Sequence, residues 1–340
     1  MQWLDQVPGH VVATGVLASW RKVSPGQVIY TPWCDERGRV IDDGTVSRLE
    51  ENTYRWTAAD PSLRWFHQNA AGLDVEIDDI SEKVAALALQ GPTSGHLLKS
   101  IVEGTDIEGL QYFRVTRGGI GSVPVDISRT GYTGDLGYEI WMPAEKALIV
   151  WDALIEAGKD FGLVPCGILA MDMARVEAGL FMIDVDYTAT NHAWIPGQKS
   201  TPFEMGLGWT VALDKPGYFV GRRALEREHK EGSAWKLVGL EIDWVGLEKL
   251  YARVGLPPQI PGMAMRGSLP VMHQGEQIGY ASTSTWSPVL KKYIALAHVQ
   301  RPHFEPGTKL HMEVTVEHHR LHAPATVVKT PFYEPEWKKK

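Results

Sequence analysis

The sequence predicts an α+β fold followed by a separate all-β domain, and three observations carry this. Up to about residue 228, strand-like and helix-like segments mix without the strict strand-then-helix order of a doubly wound sheet. From Lys236 to Tyr333 the pattern changes to short strands divided by Gly/Pro turns, with little helix. The chain has 340 residues, 44% hydrophobic and 22% charged, which is enough to build two or three cores. The expected division is 1–228 for a region of two α+β subdomains and 234–334 for a barrel or sandwich.

The N-terminal residues 1–27 hold a breaker at Pro8-Gly-His10 and a mixed apolar run over Val11–Trp20. Two apolar runs then flank Asp35-Glu-Arg-Gly38, a polar turn ending in glycine, which reads as a β-hairpin. Thr53–Ala58 is strand-like. Asp60-Pro61 reads as an N-cap carboxylate with proline at the first helical position, and Gly72 as the stop of that helix. Leu73–Asp78 alternates with period two and Lys83–Gln90 is a continuous apolar strand. Gly91-Pro92 opens a helix to about Val102. Tyr112–Val115, a turn at Gly118-Gly119 and Val123–Ile127 follow. Gly131-Tyr-Thr-Gly-Asp-Leu-Gly137 is the most glycine-dense loop, and it is neither a P-loop nor a dinucleotide fingerprint. Helices are expected over Ala144–Gly158 and about Gly167–Leu180, where Asp172 and Arg175 can pair on one face. Residues 184–210 read as a long loop crossing the surface over a site. Phe219-Val-Gly221 opens a helix to about Lys230, and 229–235 reads as a linker.

The hairpin carries the first chemical candidates. Its returning strand places Asp42 and Asp43 side by side before Gly44. Successive strand residues point to opposite faces, so at most one of the pair faces a given cavity. A carboxylate is costly to bury unless it is hydrogen-bonded or set against a positive partner. The residues alone leave two readings open: one acid facing a polar or cationic ligand, or two solvated turn acids. Glu139, flanked by bulky apolar residues, is a further candidate for an acid held inside by hydrogen bonds.

Composition excludes several classes. A formal charge of −7 argues against a dedicated nucleic-acid binder, whose footprint is basic. Two cysteines, Cys34 and Cys166, build no disulfide framework, and neither has zinc-like spacing. His318-His-Arg-Leu-His322 reads as a hairpin tip with exposed histidines rather than a metal site. No signal peptide and no membrane-length apolar run are visible, which makes a cytoplasmic location the default expectation. The 13 tryptophans suit core packing, and those near strand ends also suit flat or cationic ligands.

Several motifs in order resemble a known family. They are Tyr30, Val40-Ile-Asp-Asp-Gly44, Leu89-Gln-Gly-Pro92, Ser128-Arg-Thr-Gly-Tyr-Thr-Gly134, Gly137-Tyr-Glu139 and Arg175-Val-Glu-Ala178. Pro202-Phe-Glu-Met-Gly-Leu-Gly-Trp209, Phe219-Val-Gly221, Ser282-Thr-Ser-Thr-Trp-Ser-Pro288 and Pro331-Phe-Tyr333 complete the series. Over roughly residues 22–333 the chain looks like the tetrahydrofolate-dependent family of the glycine-cleavage T-protein (aminomethyltransferase), whose relatives demethylate N-, S- or O-methyl substrates. The resemblance implies a three-domain cloverleaf around a folate channel, with a ferredoxin-like unit and a C-terminal β-barrel. It selects Asp43 as the catalytic acid beside the reactive pterin nitrogens and Glu139 as the partner of the pterin ring. It implies aromatic folate contacts at Tyr30, Tyr112 and Tyr132, and Arg175 is grouped with these cofactor-binding residues. No metal is expected.

Departures from the family pattern shape the functional expectation. The family's N-terminal Phe-Ala-Gly-Trp and Asp-Val-Ser motifs are not found, and Pro8–Trp20 matches poorly, so the resemblance implies a shortened N-terminus. Ala170-Met171-Asp172 stands where T-proteins usually have Ala-Arg-Asp, and Thr57-Ala-Ala-Asp60 where they have Asn-Ala-Ser/Ala. These changes favour a tetrahydrofolate-dependent demethylase acting on a small methylated substrate. The alternatives are a glycine-cleavage aminomethyltransferase, which needs a lipoyl carrier protein as partner, and a folate-binding protein without transfer chemistry. For the last, Lys215-Pro-Gly-Tyr-Phe-Val-Gly221 lacks the cysteine of the iron–sulfur-assembly relatives.

Overall fold

The computed structural model describes residues 2–5, 23–60 and 62–339. Most of the 1–27 segment, and with it the poorly matching Pro8–Trp20 stretch, lies outside the described residues.

The first sheet holds β1 (Gln2–Asp5), β2 (Val28–Cys34), β3 (Val40–Arg48), β4 (Thr53–Ala58) and β5 (Glu76–Asp79) in the order β2-β3-β4-β1-β5. The expected hairpin is β2–β3. Its turn closes with the Asp35 N–H on the Arg39 carbonyl at 2.9 Å, while Asp35 Oδ1 accepts from the Arg37 and Arg39 N–H groups. Its core is aromatic: Trp33, Trp56 and Phe66 pack with ring centroids 4.5–5.6 Å apart. Helix α1 (Leu63–Ala70) supplies Phe66. Asp60 does not cap it as expected. Ser62 is the capping residue, in a left-handed conformation with no side-chain cap bond. The Asp60 N–H instead donates to Asp42 Oδ2 at 3.0 Å, because loop geometry turns it toward β3.

The second sheet runs β6 (Val84–Gln90), β10 (Gly137–Pro143), β9 (Val123–Ser128), β8 (Val115–Ile120) and β7 (Val102–Glu103). Helices α2 (Ser94–Ile101) and α3 (Ala147–Gly158) supply Leu97, Leu98, Val150 and Leu154 to its core. Gly118-Gly119 is not a turn but part of β8, and the reversal falls at Gly121-Ser122. Gly118 lies so close to β7 that a Cβ there would sit 2.8 Å from the Glu103 carbonyl oxygen. The glycine therefore serves close strand approach. The two sheets meet where buried Arg55 of β4 pairs with Asp126 of β9 at 3.0 Å and lies over the Trp141 ring.

Helices α4 (Ile168–Glu177) and α5 (Arg222–Glu231) flank the expected long loop, which holds short 3-10 turns at Pro196–Gln198 and Gly208–Thr210. The C-terminal strands β11 (Trp235–Ile242), β12 (Met265–His273), β13 (Glu276–Ser287), β14 (Lys292–Gln300), β15 (Lys309–Val316) and β16 (His319–Val328) close into a six-stranded barrel, β11-β14-β13-β12-β15-β16. Short strands with little helix were expected after Lys236, and one helix, α6 (Trp244–Ala252), interrupts them. Asp243 caps this helix through the Val245 N–H, and Leu247, Leu250 and Tyr251 plug the barrel core. A carboxylate N-cap followed by apolar residues at helical spacing explains the helix. The α+β class and the closed C-terminal barrel are as expected.

Candidate functional site

The site is organised by the hairpin. Tyr30 and Asp43 lie on neighbouring strands, Tyr30 opposite Thr45 and Asp43 opposite Pro32. They are thus diagonal neighbours on one face, and the Tyr30 hydroxyl donates to Asp43 Oδ2 at 2.7 Å. Asp42 is 1% exposed. Its Oδ1 accepts the Asp43 N–H at 2.8 Å and its Oδ2 accepts the Asp60 N–H. Strict alternation would turn Asp42 and Asp43 apart. The ladder shifts register between Trp33 and Cys34, which leaves Ile41 as an extra residue in β3. Such a bulge re-aims neighbouring side chains. Both carboxylates then reach one hydroxyl, that of Tyr187, which lies 3.3 Å from Asp42 Oδ1 and also donates to Asp43 Oδ1.

Tyr187 is held from the far side by Asp186. The buried Asp186 carboxylate accepts from the Arg175 guanidinium, the Met182 N–H and the hydroxyls of Ser282 and Thr283 on β13. His298 of β14 holds the Asp186 carbonyl. Arg175, expected among the cofactor-binding residues, is fully buried. It pairs with Asp172 at 2.9 Å as the helix spacing suggested, and also reaches Leu180 O and Thr283. Its position ties α4 to the barrel. The neighbouring motif does the same: Ser287 donates to Glu177 at 2.5 Å, and the Tyr333 N–H donates to the Glu177 carbonyl. Arg175-Val-Glu-Ala178, the Ser282–Pro288 stretch and Pro331-Phe-Tyr333 therefore meet in space. The other motifs converge on the hairpin turn. Glu204 pairs with Arg39 at 2.9 Å, and Gly221 packs so closely that a Cβ would lie 2.8 Å from the Asp35 carbonyl oxygen.

The glycine loop carries Tyr132, whose hydroxyl donates to the Phe181 carbonyl. Gln90 threads this loop, with Thr133 donating to its Oε1 at 3.0 Å. A Cβ on Gly131 or on Gly137 would lie 2.0 Å from the Gln90 side chain, so these glycines make room for it. Glu139, at the start of β10, accepts from Thr130 at 2.5 Å and lies in the field of Arg55. Tyr112 packs elsewhere, its ring edge-on to Phe113 at 4.8 Å and under the Lys338 ammonium at 5.8 Å. Trp209 is exposed and lies over Tyr30, with centroids 6.1 Å apart and planes at 28°.

Burial dominates the electrostatics. It pushes the Asp42 carboxyl up to about 7, against the Asp60 N–H that favours its anion; the adjacent Asp43 charge adds to the rise. Asp43 is also raised by burial, and the Tyr187 and Tyr30 hydroxyls oppose that rise. Burial raises Glu139 too, opposed by Thr130 and Arg55. Tyr30, Tyr132 and Tyr187 are all raised, chiefly by burial, so their hydroxyls stay protonated donors at neutral pH. Among the described residues no group of three or more His, Cys, Asp or Glu could hold a metal ion, and no helix is long and apolar enough to cross a membrane.

Sequence reasoning selected Asp43, Tyr30, Tyr132 and Glu139 and missed Tyr187, Asp186 and Gln90. The first two lay in a stretch legible only as a polar loop. Their one signal was an acid beside an aromatic residue in a segment expected to cross a site.

Comparison with known proteins places this arrangement. The family model of the GCVT N-terminal domain matches residues 10–215, and that of the glycine cleavage T-protein C-terminal barrel domain matches 252–334. A trimethylamine-oxide aldolase of Ruegeria pomeroyi is 38% identical over 92% of this chain, which spans 37% of that relative's length. An aminomethyltransferase of Halothermothrix orenii is 35% identical over 92% of this chain and 79% of its own length. The crystal structure of glycine cleavage system aminomethyltransferase T from Bartonella henselae shares the fold, with a TM-score of 0.79 at 22% identity over 98% of this chain and 84% of that one. With both domain models matched in order and the fold shared throughout, the chain belongs to the glycine cleavage T-protein family of aminomethyltransferases.

Proposed function

We propose that this chain is a tetrahydrofolate-dependent one-carbon transferase that moves a methyl group from a small N-, S- or O-methylated compound to folate. The observation that carries the reading is the poorly solvated Asp43 carboxylate, held on both oxygens by Tyr30 and Tyr187. A carboxylate offers about four acceptor positions, so one on each oxygen remains for a ligand. Glu139 is a second buried acceptor. A reduced pterin presents amino and ring N–H donors, which suit such acceptor-only groups. The residues present therefore fit the ligand that the family uses.

When bound, tetrahydrofolate supplies N5 as the acceptor of the one-carbon unit. In this reading Asp43 stabilises positive charge developing at that nitrogen, or takes its proton. Tyr30 and Tyr187 hold the carboxylate in one orientation, and Tyr132 and Trp209 offer aromatic surface beside it. For an onium donor, in-line positioning supplies much of the rate. The relative named for trimethylamine oxide supports an N-methylated donor.

A second reading has its own support: several relatives at 34–36% identity are named aminomethyltransferase. That reading requires a lipoyl carrier protein as partner. Incubation with tetrahydrofolate and a panel of N-, S- and O-methyl donors separates the two. The methyltransferase reading requires 5-methyl-tetrahydrofolate with at least one donor. Ammonia release only from an aminomethylated lipoyl carrier would replace it with the second.

A further inference from the structure

We propose that Tyr187 is a positioning residue that joins Asp42 and Asp43 into one proton-sharing unit, and that the barrel sets its position. This rests on the reading of Asp43 as the carboxylate at the reacting nitrogen. The Tyr187 hydroxyl is within hydrogen-bond reach of Oδ1 on both acids, 3.3 Å from Asp42 and closer to Asp43. A phenol has one proton. It donates to one carboxylate while its lone pairs accept from the other only if that other is protonated. The two acids beside it therefore favour holding one proton between them over both being ionised.

Among the described residues the surroundings add no counter-charge. Tyr30 of β2 donates to Asp43, and Tyr132 of the glycine loop faces the same charge. Asp60 gives Asp42 only its N–H, while its carboxylate lies 3.3 Å from His192, itself 2.6 Å from Asp184. Arg175 is taken by Asp172 and Asp186. Among the described residues, neither Asp42 nor Asp43 has a Lys or Arg ion-pair partner.

The unit can move a proton without moving an atom of the backbone. The shared proton moves from Asp42 to Asp43 as the Tyr187 hydroxyl proton passes to Asp43 Oδ1 and the Asp42 Oδ1 proton passes to the Tyr187 oxygen. Two O–H bonds break and two form, Tyr187 stays neutral, and the negative charge moves from Asp43 to Asp42. The reverse shift leaves Asp43 the anion. Tyr187 is kept in register by Asp186, whose side chain is clamped by Ser282 and Thr283, and by Phe181 edge-on at 5.8 Å. The barrel thus acts on the hairpin acids through one residue.

Tyr187→Phe and Asp42→Asn test this, each read in two ways. The first is a pH titration of the carboxylic-acid infrared band in the folate-free protein. The second is the pH profile of kcat with tetrahydrofolate and the best donor. In wild type one buried carboxyl should titrate near neutral pH. Tyr187→Phe removes the group that donates to the anion and accepts from the protonated acid, so the singly protonated unit loses more than the doubly ionised one and the near-neutral midpoint should fall on the order of one pH unit. The acid limb of kcat, which reports protonation of the remaining anion, should rise. Asp42→Asn should abolish the near-neutral band. An unchanged or raised near-neutral midpoint in Tyr187→Phe, or a near-neutral band that persists in Asp42→Asn, overturns the inference. If Tyr187→Phe does not fold, Asp42→Asn decides alone. Absence of turnover in wild type would instead defeat the functional reading, while the folate-free titration still decides the proton-sharing unit.

Discussion

The Tyr30 hydroxyl lies 2.7 Å from Asp43 Oδ2 across the β2–β3 ladder, from a position diagonal to it on the same face. A single hairpin therefore supplies both the candidate acid and one of the donors that hold it. Removing that donor in Tyr30→Phe should cost roughly tenfold in turnover, the worth of one hydrogen bond to a charged group. It should also move the acid limb of the pH–rate profile upward, because Asp43 loses a group that favours its anion. A pH profile identical to wild type would show that Tyr30 does not act on Asp43.

Asp43→Asn keeps the size of the side chain and removes its charge. Turnover should be abolished, while tetrahydrofolate binding, followed by fluorescence titration, should be largely spared. Unchanged turnover would remove Asp43 from the mechanism.

The carboxyl of Asp42 ties pH to stability. Burial raises it from 3.8 to about 7 in the folded chain, so between those values the folded state holds a proton that the unfolded state has released. Its contribution to stability is therefore greatest at low pH, falls as pH rises from about 4 to about 7, and is level above that, a change on the order of a few kcal/mol. Asp42→Asn should flatten this part of the curve of unfolding free energy against pH. A slope equal to that of wild type in this window would count against it.

Arg175 is fully buried between Asp172, Asp186 and Thr283. Arg175→Met leaves the buried Asp186 without its cation, and Asp172 with Arg266 alone at 2.8 Å, and should destabilise the chain by ~3–5 kcal/mol in chemical denaturation. Arg175→Lys should not restore it, because an ammonium cannot reproduce the guanidinium fork. A loss below ~1 kcal/mol for Arg175→Met would mean that the barrel is not anchored through this residue.

Gly137 and Gln90 are coupled by space. Gly137→Ala should destabilise the glycine loop, because its Cβ would fall 2.0 Å from Gln90 Oε1. In the Gln90→Ala background the same substitution should cost much less. Additive losses in the double-mutant cycle would refute the steric link.

How much of this was legible in the residues follows from how local each feature is. The hairpin turn, β4, α2 and the spacing of Asp172 and Arg175 depend on neighbours a few positions apart, and period and turn chemistry sufficed to read them. The cap of α1 was misplaced because Asp60 satisfies a distant carboxylate through its N–H, a contact between residues 18 apart. The Gly118-Gly119 pair was read as a turn because composition does not distinguish a glycine that bends the chain from one that admits a neighbouring strand.

By itself the sequence determined the α+β class, the strand-rich C-terminal region and the paired acids on the hairpin, and its ordered motifs indicated the family. Only the tertiary structure decided how the acids are used. Alternation along an ideal strand would let one acid face the site, whereas the extra residue at Ile41 re-aims the strand and lets Tyr187 reach both. Tyr187 comes from 144 residues away and is placed by an aspartate clamped to the barrel. The period of a strand is local and can be read from the chain. The convergence of a bulge, a loop and a barrel on one hydroxyl is set by packing between domains, which no local pattern encodes.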